Sequence, residues 1–347
     1  MINFCTLFNS NYLTRGIALH QSLVKVCKEF HLYIVAFDNE SYVYLSGAGL
    51  PNVTVISMAE FEDEALLSVK STRTAAEYCW TSTSSLILYC INTFNLDACT
   101  YVDADMIFYQ DPVVLIKEAG TNSVIITEHR YSKEYDVSKT HGIYCVQFMY
   151  FRSDERGMKV LNWWRDRCIE WCFNRQEDGK FGDQKYLDDW TTRFEGVHVI
   201  KHPGGGLAPW NIQQFDVSMV RGSLMIENPG MREKALLIFF HFHGLKFYTD
   251  AMVSYTGTLY DISEKQKELI YRPYVSQLVN IAAELKKNWV EFNTDGAKTP
   301  APTKRKTFFE FLREKSIVAL KGNLHALNPK SFNFSRHYHF VKIPILK

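Results

Sequence analysis

Short apolar runs alternate with amphipathic stretches along the first half of the chain. Residues 2–8 and 31–38 are apolar runs of strand length, and between them residues 13–29 repeat apolar side chains at helical spacing. The alternation continues beyond these residues, with predicted strands at 53–57, 100–108, 123–128, 144–152 and 237–243 and predicted helices at 74–94 and 154–174. Strands that alternate with crossover helices favour a largely parallel sheet covered on both faces, so we expect an α/β fold.

Composition sets the size and the environment expected for this fold. A chain of 347 residues, 46% of them hydrophobic, suits one large α/β domain with a substantial core. Eight cysteines are scattered through apolar stretches without a CxxC pair, which favours buried free thiols in a reducing compartment. The chain begins directly with a strand-like run, and no window approaches eighteen uninterrupted apolar residues. We therefore expect a cytoplasmic protein without a membrane span.

Charge divides the chain into an acidic body and a basic tail. The net charge is +1, but the last fifty residues hold eleven Lys or Arg and only two acids. Residues 296–347 begin with a Pro-, Thr- and Lys-rich linker, and apolar and basic residues then mix up to residue 321. This pattern predicts either a basic amphipathic helix on an anionic membrane surface or a helix packed on the body. Nucleic-acid binding is not expected, because the tail lacks a recognition motif and the body is acidic.

The most informative stretch is an acid pair at the end of a predicted strand. Asp103 and Asp105, separated by Ala104, follow an apolar run. Ligands of open α/β sheets bind beyond the carboxyl ends of strands, so this is where a site is expected. Two neighbouring carboxylates repel each other unless a cation lies between them, and hard divalent ions prefer oxygen donors. The alternative is an ordinary strand end or turn, where aspartates are common.

The segment around this acid pair resembles a motif of GT-A glycosyltransferases, in which Asp-Pro often follows as Asp111-Pro112 does here. Further blocks are similar to family 8 and related bacterial glycosyltransferases, and together they span residues 2–250. The resemblance implies a GT-A, Rossmann-like fold with a mostly parallel central sheet flanked by helices. Within a domain of residues 1–295 it implies a nucleotide-binding half at 1–115, an acceptor half at 116–250 and a helical extension at 251–295.

The first block implies the residues that hold the nucleotide. Residues 6–12 resemble the first strand and loop of the family, which contact the nucleotide base. The implied contacts come from Thr6, Phe8, Asn9, Asn11 and Tyr12, of which Asn11 hydrogen-bonds and Tyr12 stacks on the base. The family often has an acid at the position of Asn9. Residues 9–11 are also suited to a turn and a helix N-cap before the predicted helix.

A late block, residues 241–246, resembles the motif in which a histidine completes the metal site and a glycine and a lysine meet the diphosphate. His241 is the favoured ligand from its distance to Gly244, and His243 is the alternative. Lys246 falls one residue early and the usual Pro-Trp is missing. The competing interpretation is a core histidine satisfied by the backbone.

Other candidates surround the region where chemistry is expected. Asp183 and Gln184 resemble the family's helix start that reaches the donor sugar, although an acid there also suits a helix dipole. Lys70 and Arg73 precede a helix where related enzymes hold the diphosphate, and the alternative is that they are solvated charges. Cys145 and Gln147 lie where the family has an N-x-G strand and depart from that pattern, so a polar donor contact is either lost or replaced by Gln147.

Three flanking groups are less specific. Glu128 and His129 end a predicted strand and either face the acceptor or lie in a surface loop. Residues 204–206 are three glycines, and Trp210 after them predicts a flexible loop on the acceptor side, unless it is core.

The resemblance implies transfer of a hexose from a nucleotide-diphosphate sugar, with Mn²⁺ or Mg²⁺ and a UDP-sugar as the expected donor. It also implies retention of anomeric configuration. The basic tail favours a glycan or glycolipid acceptor at a membrane, so we expect a protein that is peripheral to the inner face of the membrane. The alternative from another class is a catalytically inactive sugar- or partner-binding module. A sugar-phosphate nucleotidylyltransferase is disfavoured, because residues 4–16 contain no Gly-rich triphosphate loop.

Overall fold

The computed structural model describes residues 1–231, 233–257, 259–288, 293–299 and 340–342. Within them the strands are β1 (Ile2–Phe8), β2 (Phe30–Ala36), β3 (Val53–Ser57), β4 (Ala98–Val102), β5 (Met106–Phe108), β6 (Val124–Glu128), β7 (Tyr144–Arg152), β8 (Val197–Val199), β9 (Asp216–Val220), β10 (Ser223–Asn228), β11 (Glu233–Leu236), β12 (Phe239–His241), β13 (Lys246–Phe247), β14 (Met252–Ser254) and β15 (Phe340–Lys342).

The α-helices among these residues are α1 (Leu13–Val26), α2 (Asn39–Gly47), α3 (Met58–Phe61), α4 (Glu64–Lys70), α5 (Ala75–Phe94), α6 (Val113–Lys117), α7 (Ser138–His141), α8 (Glu155–Glu170), α9 (Trp190–Arg193), α10 (Glu264–Gln266) and α11 (Arg272–Asn288). Short 3₁₀ turns lie at Ser10–Tyr12, Lys133–Tyr135, Lys185–Asp189 and Ile212–Gln214, and a π-helical turn at Lys267–Tyr271 joins α10 to α11.

The central sheet has seven strands in the order β3-β2-β1-β4-β7-β6-β8. Its strands run parallel except at β7, which is antiparallel to both of its neighbours. Side chains alternate between the two faces, so that Phe4 packs with α1 on one face and Cys5 packs with α5 on the other. A mostly parallel sheet covered on both faces by helices matches the predicted GT-A fold class.

The predicted strand 100–108 is wrong in one respect that matters for the site. The chain leaves the central sheet after Val102, turns at residues 103–105, and continues as β5, which pairs antiparallel with β12. The apolar pattern runs across both strands because both are buried, so periodicity alone did not reveal the break. The acid pair therefore lies in a turn between two sheets instead of in extended chain.

Other boundaries shift by a few residues. Helix α1 ends at Val26 and α8 ends at Glu170, both earlier than predicted, and the apolar run 237–243 supplies only the three residues of β12. Helix α5 begins where predicted, because Thr74 and Glu77 form a reciprocal capping box at its start.

The helical extension includes α11, which packs against α1. Of the predicted basic linker and tail, only residues 296–299 and 340–342 are described, and the predicted amphipathic helix falls outside the described residues. Strand β15 joins the edge of the small sheet that β13 and β14 form.

None of the described helices combines the length and the apolar character needed to cross a bilayer. All eight cysteines lie in the described residues and are free thiols, as predicted.

Candidate functional site

A cavity of about 1070 Å³ opens at the carboxyl ends of β1–β4. It is the place where ligands of parallel sheets bind, since crossover connections leave a crevice there. The candidates that line it are Phe8, Asn9, Tyr12, Lys70, Arg73, Asp103, Ala104, Asp105, Asp183, Gln184, His241 and His243. The candidates that are not among its lining residues are Thr6, Asn11, Gly244 and Lys246. Thr6 is fully buried in β1, whereas Lys246 is exposed.

Backbone hydrogen bonds hold the acid turn in place. The Asp103 N–H donates to the Gln147 carbonyl at 3.2 Å, and the Asp105 carbonyl accepts from the Phe242 N–H at 2.9 Å. The Tyr101 hydroxyl donates to Asp103 Oδ1 at 2.8 Å. The turn is therefore fixed to β7 on one side and to the chain after β12 on the other.

His241 completes a cluster with the two acids. Its Nε2 lies 3.1 Å from Asp105 Oδ1 and 3.6 Å from Asp103 Oδ2, and its side chain is only 7% exposed. Burial acts to lower the pKa of His241, but the two neighbouring carboxylates outweigh it and raise that pKa. For Asp103, burial disfavours the charged carboxylate and raises the pKa. For Asp105, burial acts in the same direction, but His241 outweighs it and holds the pKa below its usual value.

The donor set of this cluster fits a divalent cation. Two carboxylate oxygens and one imidazole nitrogen all lie within 4.8 Å of one another. Carboxylates and imidazole are ligands of Mn²⁺ and related ions, and a cation removes the repulsion between the two acids. Asp103, Asp105 and His241, together with Gln147 behind them, are called the carboxylate corner below.

Gln147 does not replace a sugar contact, because it is fully buried and is not among the residues that line the cavity. Its Oε1 accepts a hydrogen bond from His241 Nδ1 at 3.0 Å. The sequence allowed either a lost donor contact or its replacement by Gln147 and gave no sign of His241 as a partner, because a glutamine inside an apolar strand carries no pattern that reveals its partner.

Trp210 is not in a flexible loop. It is 4% exposed, its Nε1 donates to the His129 carbonyl at 3.0 Å, and the Asn211 side chain donates to the same carbonyl at 2.8 Å. The indole ring meets His241 and His243 edge-on, with ring centroids 5.4 and 5.6 Å apart. Trp210 thus packs both histidines into position at the cavity wall.

His129 is also buried and does not lie in a surface loop. It lines the cavity, and its ring stacks on Tyr131 with centroids 4.5 Å apart. Burial lowers the pKa of His129 to about 3, so the ring is neutral at physiological pH.

Asp183 and Gln184 also line the cavity. Asp183 is 5% exposed, and burial together with the charge of Asp103 raises its pKa to about 8. Its carbonyl accepts from Trp164 Nε1 at 3.0 Å, while Gln184 Nε2 donates to the His141 carbonyl at 2.7 Å. The two residues precede a 3₁₀ turn, Lys185–Asp189, instead of the predicted helix start.

The outer rim of the cavity, defined as Asn9, Tyr12, Lys70 and Arg73, is less buried. Lys70 pairs with Glu62 at 2.7 Å, and Arg73 donates to the Ile169 carbonyl at 3.1 Å. Tyr12 is 41% exposed. Asn9 precedes the 3₁₀ turn, but its side chain makes no capping hydrogen bond, so the N-cap interpretation is wrong.

Arg15 links the two nucleotide-contact blocks that the sequence suggested. It is 3% exposed, its guanidinium lies 4.5 Å from the centre of the Tyr12 ring, and it donates to the Leu245 carbonyl at 3.1 Å. A third bond, 2.9 Å to the Asp295 carbonyl, ties in the end of the helical extension. Sequence analysis missed Arg15 because an arginine in an amphipathic helix is normally solvated.

The chain matches no protein-family model. It is 28% identical over 294 residues to the uncharacterized protein YfnD of Bacillus subtilis (strain 168), covering 84% of this chain and 93% of that protein. It is also 28% identical over 303 residues to the uncharacterized protein YfnF of the same organism, covering 85% of this chain and 97% of that protein.

Three solved structures are similar in fold. A galactosyltransferase, LgtC, in complex with donor and acceptor sugar analogues, has a TM-score of 0.48 and 12% identity, covering 80% of this chain and 96% of that one. The glycosyltransferase GlyE of Streptococcus pneumoniae TIGR4 has a TM-score of 0.45 and 10% identity, covering 87% and 66%. Mouse xyloside xylosyltransferase 1 has a TM-score of 0.41 and 13% identity, covering 60% and 87%. At these TM-scores and identities the likeness carries no argument about function, which has to be argued from the site.

Proposed function

We propose that this protein is a glycosyltransferase that moves a hexose from a nucleotide-diphosphate sugar to an acceptor hydroxyl. The observation that carries the proposal is the convergence of Asp103, Asp105 and His241 at the carboxyl ends of the parallel strands, inside a cavity large enough for a nucleotide sugar. The motifs that resemble the GT-A families supply the donor class.

Within the carboxylate corner, Asp103, Asp105 and His241 would hold Mn²⁺ or Mg²⁺. A divalent cation bound there supplies positive charge that offsets the charge of the departing diphosphate. The corner is built for a cation, since two carboxylates and one imidazole face one another with only partial exposure to solvent.

The other cavity residues would contact the base, the diphosphate and the sugar of the donor. Tyr12 and Asn9 at the outer rim would contact the base, and Lys70 and Arg73 lie where they could meet the diphosphate. Asp183 and Gln184 line the same cavity as the carboxylate corner, and they would contact the sugar and its anomeric carbon. In the transfer, the bond from the anomeric carbon to the diphosphate oxygen breaks and its electron pair leaves with the diphosphate. The acceptor oxygen forms the new bond to the anomeric carbon, and the proton of the acceptor hydroxyl passes to the departing diphosphate.

Finer features of the reaction are part of the same proposal. Retention of configuration and a UDP-sugar donor rest on the family resemblance of residues 6–12 and 183–184. A glycan or glycolipid acceptor at the inner face of the membrane rests on the basic composition of residues 300–347. Free thiols in the described core support a reducing, cytoplasmic compartment.

The test is a screen of nucleotide sugars by thermal shift and by slow donor hydrolysis, with and without Mn²⁺. We expect one donor to raise the melting temperature and to be hydrolysed only when Mn²⁺ is present. Asp105→Asn should lose both effects, because it removes one ligand while keeping the shape of the side chain. Asp97→Asn is the matched control, since Asp97 is an exposed acid just before the opposite end of β4.

If folded wild-type protein responds to no nucleotide and to no cation, the transferase proposal fails. If donors bind without hydrolysis or transfer, the inactive sugar-binding module becomes the better account. Product NMR that shows inversion would overturn the proposed stereochemistry and leave the transfer itself intact.

A further inference from the structure

We propose that Gln147 is a positioning residue that makes His241 a cation ligand, by accepting the Nδ1 proton and thereby presenting Nε2 to the two carboxylates. The inference rests on the proposed function, because it assumes that Asp103, Asp105 and His241 hold a cation. It concerns a residue that does not line the cavity and has no contact with a donor.

The geometry places Gln147 behind two of the three ligands at once. Its side-chain Oε1 lies 3.0 Å from His241 Nδ1, and its main-chain carbonyl accepts the Asp103 N–H at 3.2 Å. The fully extended β7 backbone carries both groups, so the position of the histidine ring and the position of the acid turn are set by one residue. Metal-binding histidines are commonly oriented by such a second hydrogen bond at the distal ring nitrogen.

The direction of the hydrogen bond decides which ring nitrogen is free. An amide oxygen can only accept, so Nδ1 must carry a proton when it faces Oε1. The lone pair of a neutral His241 is then on Nε2, which lies 3.1 Å from Asp105 Oδ1. With an apolar residue at position 147, the proton could occupy either nitrogen and the ring would lose its fixed orientation.

The amide is enclosed by close packing. Gln147 is 0% exposed, and no described residue accepts a hydrogen bond from its Nε2. Gly206 is a near neighbour of this amide, since a Cβ at that position would lie in ordinary contact with Gln147 Nε2 at 3.5 Å and would overlap Thr127 Cγ2 at 2.7 Å. A buried polar group with an unused donor is costly, so the glutamine is not explained by packing alone.

The experiment measures Mn²⁺ affinity by titration calorimetry in the absence of donor, and records the His241 ring nitrogens by NMR in the cation-free protein. We expect Gln147→Leu to weaken Mn²⁺ binding about 10- to 100-fold. The cation-free wild type should show a slowly exchanging proton on His241 Nδ1, and the cation-free Gln147→Leu variant should lose it. Gln147→Glu should recover affinity, because a carboxylate also accepts from Nδ1.

Thr127→Val is the matched control. It removes a buried hydroxyl beside the same amide, one that donates to the Phe148 carbonyl, without changing any contact of His241. Its Mn²⁺ affinity should equal that of the wild type even if its melting temperature falls. A melting curve for each variant separates a loss of fold from a loss of orientation.

The outcomes distinguish this inference from the proposed function. If wild type and Gln147→Leu bind Mn²⁺ equally, the positioning role is wrong while the cation site stands. If the folded wild type binds no cation, the cation site fails, and the Nδ1 proton in the NMR spectrum then tests only the hydrogen bond. If Gln147→Glu is as weak as Gln147→Leu although it is folded, acceptance at Nδ1 is not the cause and the inference is overturned.

Discussion

The carboxylate corner and the outer rim face the same cavity but are built differently. In the corner, ligand atoms are fixed by backbone bonds from β7 and from the residue after β12, and His241 is held by Gln147 and Trp210. At the rim, Tyr12 and Lys70 keep roughly half of their side chains in solvent. A group that must bind a small ion needs fixed distances, whereas a surface that meets a planar base can adjust.

The corner and the rim should contribute differently to cation binding, donor binding and stability. The corner concentrates partly buried charges that repel one another without a cation, and so it costs stability in the cation-free protein. The rim costs little folding free energy, because its charged and polar side chains stay partly in solvent. Substitutions in the corner should therefore change cation binding and stability, and substitutions in the rim should change donor affinity alone.

The largest effect is expected from the ligand histidine. His241→Ala should weaken Mn²⁺ binding by more than about 100-fold, because it removes a ligand and not only its orientation. His243→Ala is the matched comparison, since its ring lies 5.8 Å from that of His241, while it is the Nε2 atom of His241 that lies 3.1 Å from Asp105 Oδ1. Titration calorimetry decides between them. Equal losses from both variants would mean that the two histidines share the cation.

The next effect concerns Asp183 and pH. Its folded pKa of about 8 is far above the value of about 3.9 in an unfolded chain. The folded protein therefore binds a proton that the unfolded chain releases, and this contribution to stability is lost as pH rises from about 4 to about 8. Asp183→Asn removes the titrating group, so in EDTA it should melt above the wild type at pH 8, with a gap that narrows towards pH 5.

Asp178→Asn controls for the loss of one carboxylate in the preceding segment, where the acid is exposed. Thermal unfolding of the three proteins at several pH values is the measurement. A gap between Asp183→Asn and wild type that stays constant from pH 5 to pH 8 would contradict the raised pKa.

A smaller effect is expected at Gly206, which packs close to the Gln147 side chain. Gly206→Ala should lower the free energy of unfolding by about 1–3 kcal/mol, because its Cβ would overlap Thr127 and Arg130. Gly222→Ala has a similar positive φ of +80° and open space around the added Cβ, so it reports backbone strain alone. Chemical denaturation checks both, and equal losses would show that packing under Gly206 is unimportant.

The smallest effect on stability is expected at the rim. Tyr12→Ala should raise the donor KM about tenfold, since stacking of a base on an aromatic ring contributes about 1–3 kcal/mol. The free energy of unfolding should change little, because Tyr12 is 41% exposed. Tyr12→Phe should keep the wild-type KM. Unchanged donor affinity in Tyr12→Ala would show that the base binds elsewhere.

The sequence predicted the sheet, the long helix α5 and the acid pair, because period-2 and helical patterns and a strand-end motif are local signals. It did not predict that the chain breaks at Asp103, because Met106–Phe108 is as buried as β4. It also missed Arg15 as a site residue, and it gave the wrong role to Gln147. These two residues act through partners 230 and 94 positions away, and such partners leave no pattern in one sequence.

The start of helix α1, next to Tyr12, is supported by residues near the other end of the described chain. Thr14 and Arg15 bond the carbonyls of Thr294 and Asp295, which follow them by 280 positions. During synthesis the amino-terminal strands emerge from the ribosome first and are free to pair early. The loop that carries Tyr12 gains its last supports only when residue 295 has emerged. A ribosome-bound nascent chain that lacks these residues should therefore fold its sheet before it acquires a complete nucleotide rim, which makes donor binding the final property to appear.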